Sequence, residues 1–91
     1  MDWVSFEYKH SLGIREATTR VTAASVALGA SYGLDVVRKK GRVDLDGKLL
    51  RGHLDVHKEK ISVQVALIGP VTPTRASIEA GIRKALDQEF V

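Results

Sequence analysis

The chain opens on a period of two. Val4, Phe6 and Tyr8 alternate with Ser5, Glu7 and Lys9. Successive side chains of an extended backbone point to opposite sides, so this alternation predicts a strand with one buried face. The period then lengthens. Ile14, Ala17, Val21, Ala24 and Leu28 recur at three- and four-residue steps, with Arg15, Thr18, Thr19, Thr22 and Ser25 on the other side. That spacing predicts a helix with one apolar stripe. Ser11 is placed as its N-cap, because its hydroxyl can accept from a free amide of the first turn. Tyr32-Gly33 ends the helix, since glycine takes the left-handed conformation at little cost. Small residues (Ala23, Ala24, Ala27, Gly29, Ala30) make its second half slim enough to lie close on a sheet.

Period two returns after the helix. Leu34, Val36 and Arg38 alternate with Asp35, Val37 and Lys39, and Lys40-Gly41 reads as a turn. Val43 and Leu45 alternate with Asp44 and Asp46 until Gly47, which marks a turn or a bulge and leaves Lys48–Arg51 unassigned. Leu54 and Val56 stand between His53, Asp55 and His57; a tight turn at Lys58-Glu59 follows. Ile61, Val63, Val65 and Leu67 then give the cleanest alternation in the chain, and the pair reads as an antiparallel hairpin. Gly69-Pro70 breaks the strand. Thr72-Pro73 reads as a second helix start, with Pro73 at the first helical position. Ile78, Ile82, Ala85 and Leu86 are its apolar face, and Glu79–Arg83 and Arg83–Asp87 are spaced to pair along the exposed side.

The predicted order is β-α-β-β-β-α. One apolar face per strand and one apolar stripe per helix require two layers. The fold class is therefore α+β: a two-layer sandwich with an antiparallel-rich sheet of about four strands and both helices on one face. The open face is expected to show Ser5, Glu7, Lys9, Asp55, Ser62 and Gln64 to water, with Trp3 and Val37 breaking its polarity. Monomer and homodimer both fit such a face.

Length confines this to one domain, residues 1–91. At this size roughly 60–65% of the unfolded surface is buried, which allows one modest core. There is no cysteine, so a disulfide framework and a thiolate metal site are excluded, and a reducing compartment fits. No apolar run approaches the ~20 residues of a membrane span. No signal peptide is visible either, so the expected location is the cytoplasm.

Charge changes the picture more. The net charge is +3, and the excess sits in the middle third. Arg38, Lys39, Lys40 and Arg42 are the densest part of it and form the candidate patch for an anionic partner. Solvated hairpin tips are the plainer reading.

Candidate chemistry is sparse. His53, Asp55 and His57 share one strand face, but the outer two would lie about 13–14 Å apart. That is too far to share a metal, and a zinc site needs three or four ligands. His10 reads as part of the strand-to-helix corner, and Asp44 with Asp46 as charged surface beside Arg42 and Lys48. No nucleophile elbow and no phosphate loop occurs, so no catalytic residue, metal or cofactor is expected. The strands after residue 33 contain no aromatic for base stacking, which disfavours an RNA-reading sheet.

Some segments also carry a resemblance. His10-Ser11-Leu12-Gly13 ends the first strand and opens the helix that closes at Tyr32-Gly33. Leu50-Arg51-Gly52-His53-Leu54-Asp55-Val56 and Val63–Leu67 follow, then Ile78-Glu79-Ala80-Gly81-Ile82-Arg83-Lys84-Ala85-Leu86-Asp87. In order and spacing, from about residue 4 to residue 88, this layout resembles the polyhydroxyalkanoic acid system family of small bacterial proteins. One departure is Val36-Val37, where family members often carry an aromatic. The resemblance implies a role in storage-polyester metabolism at or near the granule, with the polyhydroxyalkanoate granule or its proteins as partner. It carries over no catalytic residue. The expectation is a non-catalytic accessory or regulatory protein acting by binding. The alternative is a small anionic-partner or nucleic-acid module using residues 38–42. Trp3 and Val71 are the candidate apolar contacts, although core packing is the plainer reading of each.

Overall fold

The clearest alternation in the sequence, Ile61 to Leu67, becomes an inner strand of the sheet. The computed structural model describes residues 2–68 and 74–90. Its elements are β1 (Asp2–Lys9), α1 (Gly13–Tyr32), β2 (Asp35–Lys39), β3 (Arg42–Asp46), β4 (Leu50–Val56), β5 (Lys60–Leu67) and α2 (Arg75–Glu89). The sheet is fully antiparallel in the order β1-β5-β4-β3-β2. The fold is α+β, with five strands where the sequence suggested about four. β2 to β5 form a meander, and β1 closes it on the far side of β5.

The count rises because β3 and the arm of the predicted hairpin that holds Leu54 and Val56 are separate strands, and the start of β4, Leu50 and Arg51, lies in the stretch left unassigned. The Gly47 amide donates to the Leu50 carbonyl at 2.9 Å and closes a short turn, after which β4 starts at once. Leu50, Gly52, Leu54 and Val56 keep a period of two along β4, with Gly52 in register with Leu45 and Val65. Glycine is required there. A Cβ on Gly52 would run into the Gln64 carbonyl oxygen and stand 2.6 Å from the Val65 Cα.

One face of the sheet supplies Val4, Val43, Leu45, Leu54, Val56, Ile61, Val63 and Val65 to the core. α1 lies over β2, β3 and β4; α2 lies over β1 and packs against α1. Ala17, Val21, Ala24 and Leu28 are buried as the stripe predicts, and so are Ile78, Ile82, Ala85 and Leu86 of α2.

Four local expectations are overturned. Ile14 is 52% exposed, because it stands in the first turn of α1, ahead of the part that lies on the sheet. Thr18 and Ser25, assigned by the pattern to the polar side, are buried. They fall on the same row as Gly29, which lies against Leu34 and Val36, so the slim helix beds a second row toward β2. Thr18 satisfies its hydroxyl on the Ile14 carbonyl at 2.6 Å, while the Ser25 Oγ has no partner. Thirdly, Asp87 does not pair with Arg83. It accepts from the Tyr8 hydroxyl at 2.5 Å, and Arg83 bonds Glu79 at 3.1 Å and lies 4.1 Å over the Phe6 ring. These contacts dock α2 on β1.

The last concerns the caps. α1 is capped at Leu12, not Ser11, and no side chain caps it by hydrogen bond. Thr72 and Pro73, together with Val71, lie outside the described residues; α2 is capped two residues later by Thr74, whose hydroxyl accepts from the Ser77 amide at 3.1 Å. Gly33 ends α1 with a φ of 67°, as predicted.

Candidate binding surface at the basic end

Strand direction decides which turns become neighbours. β1, β2 and β4 run the same way in this sheet. The end of β1, the β2–β3 turn and the β4–β5 turn therefore meet at one end of the molecule, together with the N-terminus of α1. Backbone bonds tie them together. The His10 amide donates to the Glu59 carbonyl at 3.0 Å, and the Val56 amide to the Gly41 carbonyl at 2.9 Å.

His10 builds the corner. The Leu12 amide donates to its Nδ1 at 3.1 Å, so the proton of the neutral ring sits on Nε2, which donates to the His57 carbonyl at 2.9 Å. Its ring lies 5.7 Å from that of Phe90, which lies 5.5 Å from Tyr8. Burial and the Asp87 hydrogen bond push the Tyr8 hydroxyl up to about 12.

Two open clefts flank the first turn of α1. One, of about 630 Å³, lies between Ile14, Arg15, Thr18 and Thr19 of the helix and the β2–β3 turn at Arg38–Gly41. The other, of about 700 Å³, lies between Lys9–Gly13 and Lys58–Lys60.

The predicted patch divides between two surfaces. Lys39 and Arg42 point to the open face of the sheet, where both hold Asp44, at 2.8 and 2.9 Å. The Lys39 hydrogen bond, aided by the charge of Arg42, holds the Asp44 carboxyl below its usual range. Arg38 and Lys40 remain at the end. Among the described residues no carboxylate pairs with Arg38, Lys40, Arg15, Lys9 or Lys58. Leu12 and Ile14 stand among these cations, 40% and 52% exposed. The amides of the first helical turn add positive potential to the same place.

Arg15, Lys9 and Lys58 are the residues that a linear reading misses. They are distant in the chain, and the parity of the antiparallel turns brings them to the same end of the molecule, Arg15 in the cleft of Arg38 and Lys40, and Lys9 and Lys58 in the cleft on the other side of the first turn of α1. That parity was the available signal.

The open face is charged, and most of its charges are matched within it. Lys60 bonds Glu7 at 2.5 Å, which holds the Glu7 carboxyl below its usual range; Arg51 bonds Asp46 at 2.9 Å; and His53 stands 3.4 Å from Asp55. His57 leaves this face and belongs to the β4–β5 turn. Among the described residues no three metal-type ligands converge, and no helix is long and apolar enough to cross a membrane. Trp3 is half exposed at the β1 edge, which overturns its reading as a core residue.

Residues 4–90, nearly the whole of this architecture, match the polyhydroxyalkanoic acid system protein family. The chain belongs to that family. Membership links it to polyhydroxyalkanoate systems. No curated protein and no solved structure matches it.

Proposed function

We propose that this polyhydroxyalkanoic acid system protein is a non-catalytic accessory protein of the storage granule, acting by binding through its basic end. The observation that carries the reading is two clefts that flank the first turn of α1 and are lined by cations with no carboxylate partner among the described residues: Lys9 and Lys58 beside the exposed Leu12, and Arg15, Arg38 and Lys40 beside the exposed Ile14.

The polymer's chemistry suits that surface. A polyester offers apolar carbon and ester carbonyls, which accept hydrogen bonds and donate none. Leu12 and Ile14 supply apolar contact, and the guanidinium and ammonium groups supply donors. Binding is favoured over catalysis by how the reactive side chains are engaged. Both His10 nitrogens are spent on backbone groups, and Asp44 and Glu7 are fixed counter-ions of lysines.

The same cations favour a second reading, an anionic partner such as nucleic acid. The two are separated by pelleting the purified protein with isolated granules at low and high salt. The granule reading predicts enrichment over an inert control that survives high salt and falls when Leu12 and Ile14 are replaced by Ser. Loss of binding on Arg15→Gln, Arg38→Gln and Lys40→Gln alone, with a steep salt dependence and a shift on RNA or DNA, would favour the anionic partner, since phosphate contacts release counter-ions. No enrichment at any salt removes direct granule binding.

A further inference from the structure

The open face of the sheet carries a second pattern, independent of the basic end. Strand register arranges its side chains in three rows that cross all five strands, with Lys9 and Lys60 forming a short fourth row on β1 and β5 alone. One outer row reads Trp3, Ala66, Arg51, Asp46, Asp35 across β1, β5, β4, β3 and β2. The central row reads Ser5, Gln64, His53, Asp44, Val37; the other outer row reads Glu7, Ser62, Asp55, Arg42, Lys39.

The two outer rows are opposite in charge, position by position, on three strands. Arg51 on one row matches Asp55 on the other within β4. Asp46 matches Arg42 within β3, and Asp35 matches Lys39 within β2.

We propose that two copies of this chain pack face to face through their open sheets, about a two-fold axis that runs along the central row. Such an axis keeps each strand over its counterpart and exchanges the outer rows. Arg51 then meets Asp55 of the second copy, Asp46 meets Arg42 and Asp35 meets Lys39, each contact occurring twice. A two-fold axis along the strands does the reverse: it sets Arg51 on its own copy and Asp55 on its own copy. Charge therefore selects one arrangement over the other.

The central row is compatible with this. Val37, half exposed, meets its own copy across the axis, as do Gln64 and His53. Asp44 also faces its copy, but Lys39 and Arg42 each hold it within 2.9 Å, so two matched clusters meet and not two bare carboxylates. From strand spacing and rise, the face covers on the order of 500 Å² per copy, near the roughly 1,000 Å² total at which specific interfaces begin. A reversible dimer of modest affinity follows.

The test is the molar mass of the full chain by sedimentation over a concentration series. The expected result is a monomer of 9.9 kDa moving toward twice that mass as concentration rises, and less readily at high salt. Two single charge reversals, Arg42→Glu and Asp46→Arg, each set like charges against each other and should be monomeric alone. Mixed together they should form a heterodimer, in which Glu at 42 meets Arg at 46 and Asp46 meets Arg42. Circular dichroism checks that both variants fold. An unaltered chain that stays monomeric at the highest concentration overturns the proposal. So does a dimer that survives both reversals, or a mixture of the two folded variants that stays monomeric.

Discussion

Replacing Gly52 by Ala should destabilise the fold far more than one added methyl group suggests. The new Cβ would stand 2.6 Å from the Val65 Cα and closer still to the Gln64 carbonyl oxygen. Ordinary carbon contacts begin near 3.5 Å, so the overlap approaches an ångström. Both obstacles are backbone atoms of β5, and no rotamer change relieves them. The β4–β5 ladder must spread, and this pairing lies at the centre of the sheet. Overpacking of well-filled sites costs about 1–3 kcal/mol, and immovable neighbours place Gly52→Ala at the upper end. A chain of this length has about 5–14 kcal/mol of stability in all. At about 4–8 °C per kcal/mol, a loss near 3 kcal/mol lowers Tm by roughly 12–24 °C. Thermal unfolding followed by circular dichroism measures it. Gly47→Ala is the matched control: its Cβ meets the far end of the Leu34 side chain, which can swing aside, so its Tm should fall much less. A Gly52→Ala protein melting within roughly 2 °C of the unaltered chain would refute the reasoning and with it the described path of β4.

Three further outcomes follow from the same structure. Ser25→Ala removes a buried hydroxyl that has no partner, so it should leave stability unchanged or raise it by up to about 1 kcal/mol in urea titration; a clear loss would mean that the hydroxyl is bonded. Tyr8 should ionise near 12 by ultraviolet titration, with that component absent in Tyr8→Phe and moved down in Asp87→Asn. Because its folded value is raised, its contribution is complete below pH 10 and lost as pH climbs toward 12; flat stability across that window contradicts the shift. Glu7 and Asp44 have the opposite sign. Their folded values are depressed, so their contribution is present above the ordinary carboxylate range and lost as pH falls through the folded values. A Lys60→Gln, Lys39→Gln double variant should therefore differ from the unaltered chain at neutral pH and converge with it in acid; a gap that persists in acid would assign the lysines another role.

Much of this fold is legible in the sequence because its signals are local. β1 and β5 alternate cleanly, and Ile78, Ile82 and Leu86 state their helix without help from tertiary structure. Only the start of β4 was obscured, because the core-facing position ahead of Leu54 is filled by Gly52, so the alternation has a silent beat where the close pass of β5 leaves no room for a side chain. The second buried row of α1 was obscured for a related reason. Thr18 and Ser25 look like surface residues, and only the closeness of β2 to a slim helix encloses them.

The candidate surface was legible only in part. Arg38 and Lys40 announce themselves as a charge run, but whether a cation is free or paired depends on which strand lies beside it. Asp44 sits one strand over from Lys39 and beside Arg42, so one carboxylate engages two of the four cations of the predicted patch. Arg15 and Lys58 come from a helix and a hairpin that strand order brings to the same end of the molecule, which periodicity does not encode.

Attachment to the storage granule can be watched with a fluorescently tagged copy in a polyester-accumulating bacterium, before and after granules form. The expected signal is diffuse at first, moves onto the granules as they appear, and stays diffuse when Leu12 and Ile14 are replaced by Ser. A signal from the unaltered protein that remains diffuse beside mature granules would contradict attachment.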